Sequence, residues 1–113
     1  MKKKYKTLSK RLVLGTANLG TCKYGINKYK ISNNNKKKIV KYAIKNEITY
    51  FDTANTYGSE KNLDFQNIKV FTKIKPIKKN LKFKKKKELV SFIESSIKSS
   101  LKKLKINSIY CLL

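Results

Sequence analysis

The sequence predicts an α/β fold built around a parallel sheet. Four short apolar runs have the β-branched and aromatic composition of strands, and the segments between them repeat apolar residues at helical spacing. The two kinds of segment alternate as strand, helix, strand, short helix, strand, helix, strand. Such alternation is typical of βαβ units, whose right-handed crossovers place the helices on one side if the sheet curls into a barrel.

The first half of the chain contains one predicted strand and one amphipathic helix. Residues 12–14 are an apolar run that Gly15 closes, and the loop after it carries Gly20 and Gly25. A helix is predicted over residues 36–45, where one face repeats apolar residues. That face consists of Ile39, Val40, Ala43 and Ile44. The candidates for its N-cap are Ser32, Asn33, Asn34 and Asn35.

The next segments continue the alternation. Residues 48–51 and 68–72 are β-branched and aromatic, and residues 59–65 between them have room for one or two helical turns. The lysine-rich residues 78–87 are expected to be exposed. Residues 90–104 have the clearest helical period, with lysine and serine on the face opposite the apolar one. The apolar face consists of Val90, Ile93, Ile97, Leu101 and Leu104.

The last apolar run, residues 106–113, predicts a fourth strand that continues to the end of the sequence. No turn, cap or polar tail follows Leu113, whereas chain termini are usually looser. A closed barrel of parallel strands needs eight of them and about 250 residues. If the sheet curls into such a barrel, we expect residues 1–113 to be the N-terminal part of one barrel domain, interrupted in its fourth strand.

Lysine dominates the composition of the chain. Lysine and arginine number 29 against 6 acidic residues, which gives a formal net charge of +23, and Arg11 is the only arginine. Such charge suits a small protein that binds nucleic acid, but it also arises when lysines accumulate on solvated surfaces. Because the lysines are scattered and arginine, the better bidentate ligand of phosphate, is scarce, we expect no specific nucleic-acid partner.

Several other classes of protein are disfavoured. The sequence has no apolar run long enough to span a membrane, and no apolar signal core follows its basic start, so a cytoplasmic location is expected. With no histidine and only two cysteines, a zinc site is not expected. Cys22 and Cys111 are expected to be free thiols in a reducing compartment.

Three ionisable side chains are predicted to meet at one edge of the sheet. Asp52 follows one apolar strand and Lys73 follows the next. Carboxyl ends of neighbouring parallel strands share the edge where α/β enzymes place their active sites. Tyr57 belongs to the loop above that edge. A lysine ammonium favours the phenolate of a nearby tyrosine, so Tyr57 could act as a general acid.

Each of these residues also has a purely structural interpretation. Asp52 could cap a helix, Lys73 could be a solvated strand end, and Tyr57 could be a packed loop tyrosine. The order of the three residues along neighbouring strand ends is what favours a proton-donating site over those alternatives.

The sequence resembles the aldo-keto reductase family along its whole length. The segments that carry the resemblance are Leu14-Gly15-Thr16-Ala17, Asp52-Thr53-Ala54, Tyr57-Gly58-Ser59-Glu60, Val70-Phe71-Thr72-Lys73 and residues 93–104 and 109–113. They are similar to the family's first strand, its signature around the catalytic aspartate and tyrosine, the strand of its catalytic lysine, and the helix and strand that lead to its catalytic histidine.

The resemblance implies a (β/α)8 TIM barrel that reduces small aldehydes or ketones with NADPH. It implies that Tyr57 is the proton donor, that Lys73 favours its phenolate, and that Asp52 holds Lys73. It also implies that Gly15, Thr16 and Asp52 approach the nicotinamide end of the cofactor, which supplies the hydride. No metal is implied.

The sequence departs from the family pattern in three places. The helix after Tyr57 is shortened, and Leu63-Asp64 stands where the family has Leu-Gly. The family's histidine would fall directly after Leu113, and the later strands, whose loops grip the cofactor's phosphates, would follow it. We therefore expect the 113 residues to be inactive by themselves.

Overall fold

The computed structural model describes residues 8–20 and 30–113. Its strands are β1 (Val13–Gly15), β2 (Tyr50–Asp52), β3 (Lys69–Thr72) and β4 (Cys111–Leu112). Its α-helices are α1 (Asn33–Lys45), α2 (Ser59–Asn62) and α3 (Lys86–Leu104), and one turn of 3-10 helix spans Ala17–Leu19. The predictions for Cys22 and Gly25 fall outside the described residues.

The strands form one parallel, four-stranded sheet in the order β1-β2-β3-β4. Gly15 is in register with Asp52, and Asp52 with Phe71, so the carboxyl ends of β1, β2 and β3 lie side by side. This confirms the predicted α/β fold. Four parallel strands in sequential order with helices between them correspond to an incomplete (β/α)8 barrel.

The hydrophobic core lies between one face of the sheet and the helices. Phe51 and Val70 point into it from β2 and β3, and Phe51 meets the edge of the Phe65 ring at 6.2 Å between centroids. The buried core residues are Leu19, Val40, Ala43, Phe51, Leu63, Phe65, Val70 and Leu104. Their burial is what orients the sheet, because apolar area removed from water dominates the stability of such a layer.

Local signals account for the ends of the helices. Ser32 is the N-cap of α1, where its hydroxyl accepts a hydrogen bond from the backbone N–H of Asn35 at 3.3 Å. Asn46 ends that helix, and its side-chain amide donates to the carbonyl of Tyr42 at 2.7 Å. Lys105 ends α3 in the left-handed conformation (φ 56°) and donates its N–H to the carbonyl of Leu101.

The buried faces of the helices differ from those predicted. In α1 the residues Ile39 and Ile44 remain exposed, although Val40 and Ala43 are buried as expected. In α3 the serines Ser96 and Ser100 are buried, although they were expected on the solvent face. The prediction was wrong because a serine hydroxyl at this interface has a partner: that of Ser96, for example, accepts from the N–H of Lys75 at 2.8 Å.

Strand β4 is also shorter than the predicted residues 106–113. Only Cys111 and Leu112 have ladder partners, which are Phe71 and Thr72 at the carboxyl end of β3. Two further backbone hydrogen bonds join this segment to β3. The N–H of Tyr110 donates to the carbonyl of Val70, and the N–H of Leu113 donates to the carbonyl of Thr72.

The opposite face of the sheet is partly open and aromatic. The ring centroids of Tyr50, Phe71 and Tyr110 lie within 6.1 Å of one another. Lys69 donates from its ammonium to the Tyr50 hydroxyl at 3.1 Å, and this hydrogen bond is the main cause that lowers the pKa of Tyr50. The predicted exposure of residues 78–87 is confirmed apart from Phe83, which is half-buried.

Within residues 8–20 and 30–113, no helix combines the length and the apolar character that a membrane crossing requires. The same residues contain no cluster of three or more histidine, cysteine or acidic side chains suited to a metal ion. Cys111 is a free thiol.

Candidate active site

The predicted ionisable residues meet at the carboxyl edge of the sheet. Asp52 is the last residue of β2, and Lys73 directly follows β3. The ammonium nitrogen of Lys73 lies 2.7 Å from Oδ1 of Asp52 and also donates to the carbonyl of Thr53 at 3.1 Å. The lysine therefore bridges the ends of two neighbouring strands.

This ion pair is open on one side. The side chains of Lys73 and Asp52 are 35% and 34% exposed, so a ligand can reach them while the protein still excludes part of the solvent. Exposed pairs contribute little to stability, with a typical value below about 1 kcal/mol. The pair is better understood as an arrangement that orients a charge at the edge of the sheet than as a stabilising contact.

Lys73 is kept in its charged form. Partial burial is the largest single influence and lowers the pKa of Lys73, but the hydrogen bond and charge of Asp52, together with the nearby Tyr57, outweigh it. The net effect raises the pKa of Lys73 above its ordinary value. The positive charge of Lys73 thus lies beside the tyrosine.

Tyr57 lies beside this charge. The ammonium nitrogen of Lys73 is 5.4 Å from the centroid of the Tyr57 ring. The loop that carries the tyrosine forms a turn, in which the N–H of Tyr57 donates a hydrogen bond to the carbonyl of Ala54 at 3.0 Å. Gly58 follows in the left-handed conformation (φ 75°), which glycine adopts at no steric cost, and α2 begins at the next residue.

Three buried hydroxyl groups hold the strand ends and α2 together. Thr16 donates from its N–H and from its hydroxyl to the carbonyl of Asp52, at 2.9 and 3.0 Å. The hydroxyl of Ser59 lies 3.0 Å from that of Thr16 and 3.0 Å from that of Thr53. All three residues are fully buried, so the ends of β1 and β2 are fixed without help from water.

Glu60 belongs to the Tyr57-Gly58-Ser59-Glu60 motif, but its burial has no signal in the sequence. It is 1% exposed and accepts hydrogen bonds from the hydroxyl of Thr72 at 2.7 Å and from that of Ser100 at 3.3 Å. Burial raises the pKa of Glu60, against the opposing effects of these two hydrogen bonds and of the Lys103 charge. Glu60 thereby connects α2 to the residue before Lys73 and to α3.

A second layer of polar contacts extends from Glu60 to the surface. The amide of Asn55 donates to the hydroxyl of Ser100 at 3.2 Å, and the ammonium of Lys103 donates to the amide oxygen of Asn55. The loop that carries Tyr57 is therefore tied to α3 as well as to the sheet. No pattern in the sequence would have identified Asn55 or Ser100, because both residue types are common on surfaces.

The predicted cofactor residues occupy different environments. Gly15 is exposed at the end of β1, and a Cβ atom placed on it would meet nothing within 4 Å. Thr16 has no exposed surface, and its hydroxyl is engaged within the protein. Accessible space thus lies beside Gly15 and Asp52, while the buried Thr16 holds the backbone of Asp52 through its hydrogen bonds.

The fold and this site together define a class of protein: a parallel α/β domain with an aspartate, a lysine and a tyrosine at its carboxyl edge. The family model described as the Aldo/keto reductase family matches residues 11–112 of the chain. The chain belongs to this family. Searches of curated proteins and of solved structures found no match.

Proposed function

We propose that this chain supplies the proton-donating part of the active site of an NADPH-dependent reductase of small aldehydes and ketones. The observation that carries the proposal is the arrangement of Lys73, which is paired with Asp52 at 2.7 Å and lies 5.4 Å from the Tyr57 ring centroid. Membership of an oxidoreductase family supports the reaction class.

In the proposed reaction Tyr57 donates its phenolic proton to the carbonyl oxygen of the substrate. The negative charge that this leaves on the phenolate is stabilised by the ammonium of Lys73, because a preorganised positive charge stabilises negative charge that develops beside it. Asp52 orients Lys73 and keeps it protonated. When bound, NADPH supplies the hydride that enters the carbonyl carbon.

Gly15 and Asp52 leave accessible space at the carboxyl edge of the sheet. Gly15 leaves open space at the end of β1, and the accessible side of Asp52 lies on the neighbouring strand. We propose that these two residues border the nicotinamide and that Thr16 acts by holding the backbone of Asp52. The preference for NADPH over NADH is part of the proposal and rests on the family alone.

The proposal extends to what the 113 residues do by themselves. The described strands provide four of the eight strand ends that surround the active site of a closed barrel. We expect these residues alone to give no NADPH-dependent reduction, and a barrel completed with further strand-helix units to give it.

The test is the Tyr57→Phe variant of such a complete barrel. Turnover of small aldehydes, followed by the loss of NADPH absorbance, is expected to fall by about 10² to 10⁴, the usual contribution of a positioned general acid. The dissociation constant of NADPH should be unchanged. The matched control is Tyr42→Phe, which alters an exposed tyrosine of α1. Parental turnover in Tyr57→Phe would refute the assigned role.

A further inference from the structure

Lys36 is a buried lysine that the proposed reaction does not use. It lies in the first turn of α1 and is 2% exposed, whereas Lys37 and Lys38 beside it are exposed. Its ammonium donates a hydrogen bond to the carbonyl of Gly20 at 3.0 Å. Lysines are almost never fully buried unless they are paired, so the bond to Gly20 must offset a substantial desolvation cost.

Gly20 is in turn packed against the catalytic loop. A Cβ atom on Gly20 would lie 1.7 Å from the carbonyl oxygen of Tyr57 and 2.7 Å from its carbonyl carbon. The backbone of Gly20 has φ −79°, which any residue adopts, so glycine is required here for space and not for conformation. Its own N–H donates to the carbonyl of Ala17 at 3.3 Å.

We propose that Lys36 and Gly20 form a positioning unit for Tyr57. The buried ammonium of Lys36 fixes the carbonyl of Gly20, and the bare Cα of Gly20 provides the surface on which the backbone of Tyr57 rests. The unit sets where the phenol lies relative to Lys73. This inference rests on the proposed function, because the position of the phenol matters for turnover only if Tyr57 is the acid.

The expected loss of turnover follows from the close contact between Gly20 and the carbonyl group of Tyr57. Atoms at 1.7 Å cannot coexist, since Cβ contacts below 3.0 Å essentially never occur, so Gly20→Ala forces one of the two segments to move by more than about 1 Å. A displacement of that order at a reacting group lowers turnover by about 10²-fold. Lys36→Met keeps the apolar stem and removes the hydrogen bond to Gly20 without adding a clash, so a smaller loss of turnover is expected.

The first measurement needs no activity and uses the 113-residue chain. Competitive acetylation across a range of pH, read peptide by peptide, reports the pKa of Lys73. Tyr57 contributes to raising that pKa, so a displaced Tyr57 should lower it. We expect Lys73 to be labelled faster than in the parent protein in Gly20→Ala and, to a smaller extent, in Lys36→Met.

One control is matched to Lys36→Met. Lys37→Met makes the same chemical change one residue away on the exposed face of α1. It should leave the labelling of Lys73 as in the parent. Parental labelling of Lys73 in both Gly20→Ala and Lys36→Met would overturn the inference.

The second measurement separates this inference from the proposed function. In a complete barrel, Gly20→Ala and Lys36→Met should lower kcat without changing the dissociation constant of NADPH. If Tyr57→Phe abolishes turnover while both variants keep the parental kcat, only the positioning role is wrong. If Tyr57→Phe itself is fully active, the proposed function fails. If all lysines of both variants are acetylated as fast as in an unfolded chain, the variants have unfolded. The contact then stabilises the fold as a whole and has no specific role in positioning Tyr57, so the inference fails.

Discussion

The buried carboxyl group of Glu60 leads to a prediction about stability and pH. Burial raises its pKa above the ordinary value of 4.5, so the folded protein binds this proton more tightly than the unfolded chain does. The resulting stabilisation is fully present below pH 4.5 and is lost as the pH rises through the higher pKa of the folded state. Glu60→Gln removes the titration while keeping the shape of the side chain.

The expected slope of the free energy of unfolding against pH follows from the binding of a single proton to Glu60. Between pH 4.5 and the raised pKa, Glu60 makes the free energy of unfolding fall by at most about 1.4 kcal/mol for each pH unit. In Glu60→Gln this slope should disappear. The amide can still hydrogen-bond to the hydroxyls of Thr72 and Ser100, because a hydroxyl group can accept as well as donate. The cost of the exchange at low pH is expected to be about 1 kcal/mol.

Urea unfolding from pH 4 to pH 8, followed by circular dichroism, measures this slope in the parent and the variant. The matched control is Glu94→Gln, which makes the same chemical change on the exposed side of α3. Its pH dependence should equal that of the parent. The reasoning fails if Glu60→Gln keeps the parental slope, or if Glu94→Gln flattens the curve to the same extent.

Three further predictions concern the site and the charge of the protein. In a complete barrel, Lys73→Met should lower turnover by about 10² to 10⁴ with NADPH binding retained, because the phenolate of Tyr57 loses its compensating charge; steady-state kinetics and a cofactor titration decide this. Asp52→Asn should lower the pKa of Lys73, because it removes the charge that raises it, and competitive acetylation would show faster labelling. Nucleic acids should bind without sequence preference and with an affinity that falls steeply as salt increases; tight, selective binding at physiological salt in a filter-binding assay would contradict the interpretation of the lysines as solvated surface.

The sequence by itself determined the order of the elements and the edge where the site lies. Alternating apolar runs and helical periods predict a parallel sheet, and parallel strands bring their carboxyl ends together whatever the details of packing. That is why the sequence alone places Asp52 and Lys73 side by side. In the register of β2 and β3, Asp52 pairs with Phe71, two residues before Lys73, and the Lys73 ammonium reaches Asp52 at 2.7 Å.

Only the tertiary structure decided which polar residues are buried. Composition assigns lysine, glutamate and serine to the solvent, yet Lys36, Glu60 and Ser100 are all less than 3% exposed. Each is buried because it has a hydrogen-bonding partner that is distant in the sequence. The contact between Gly20 and Tyr57 has the same origin: the packing of two loops creates it, and no local pattern of residues encodes the distance between them.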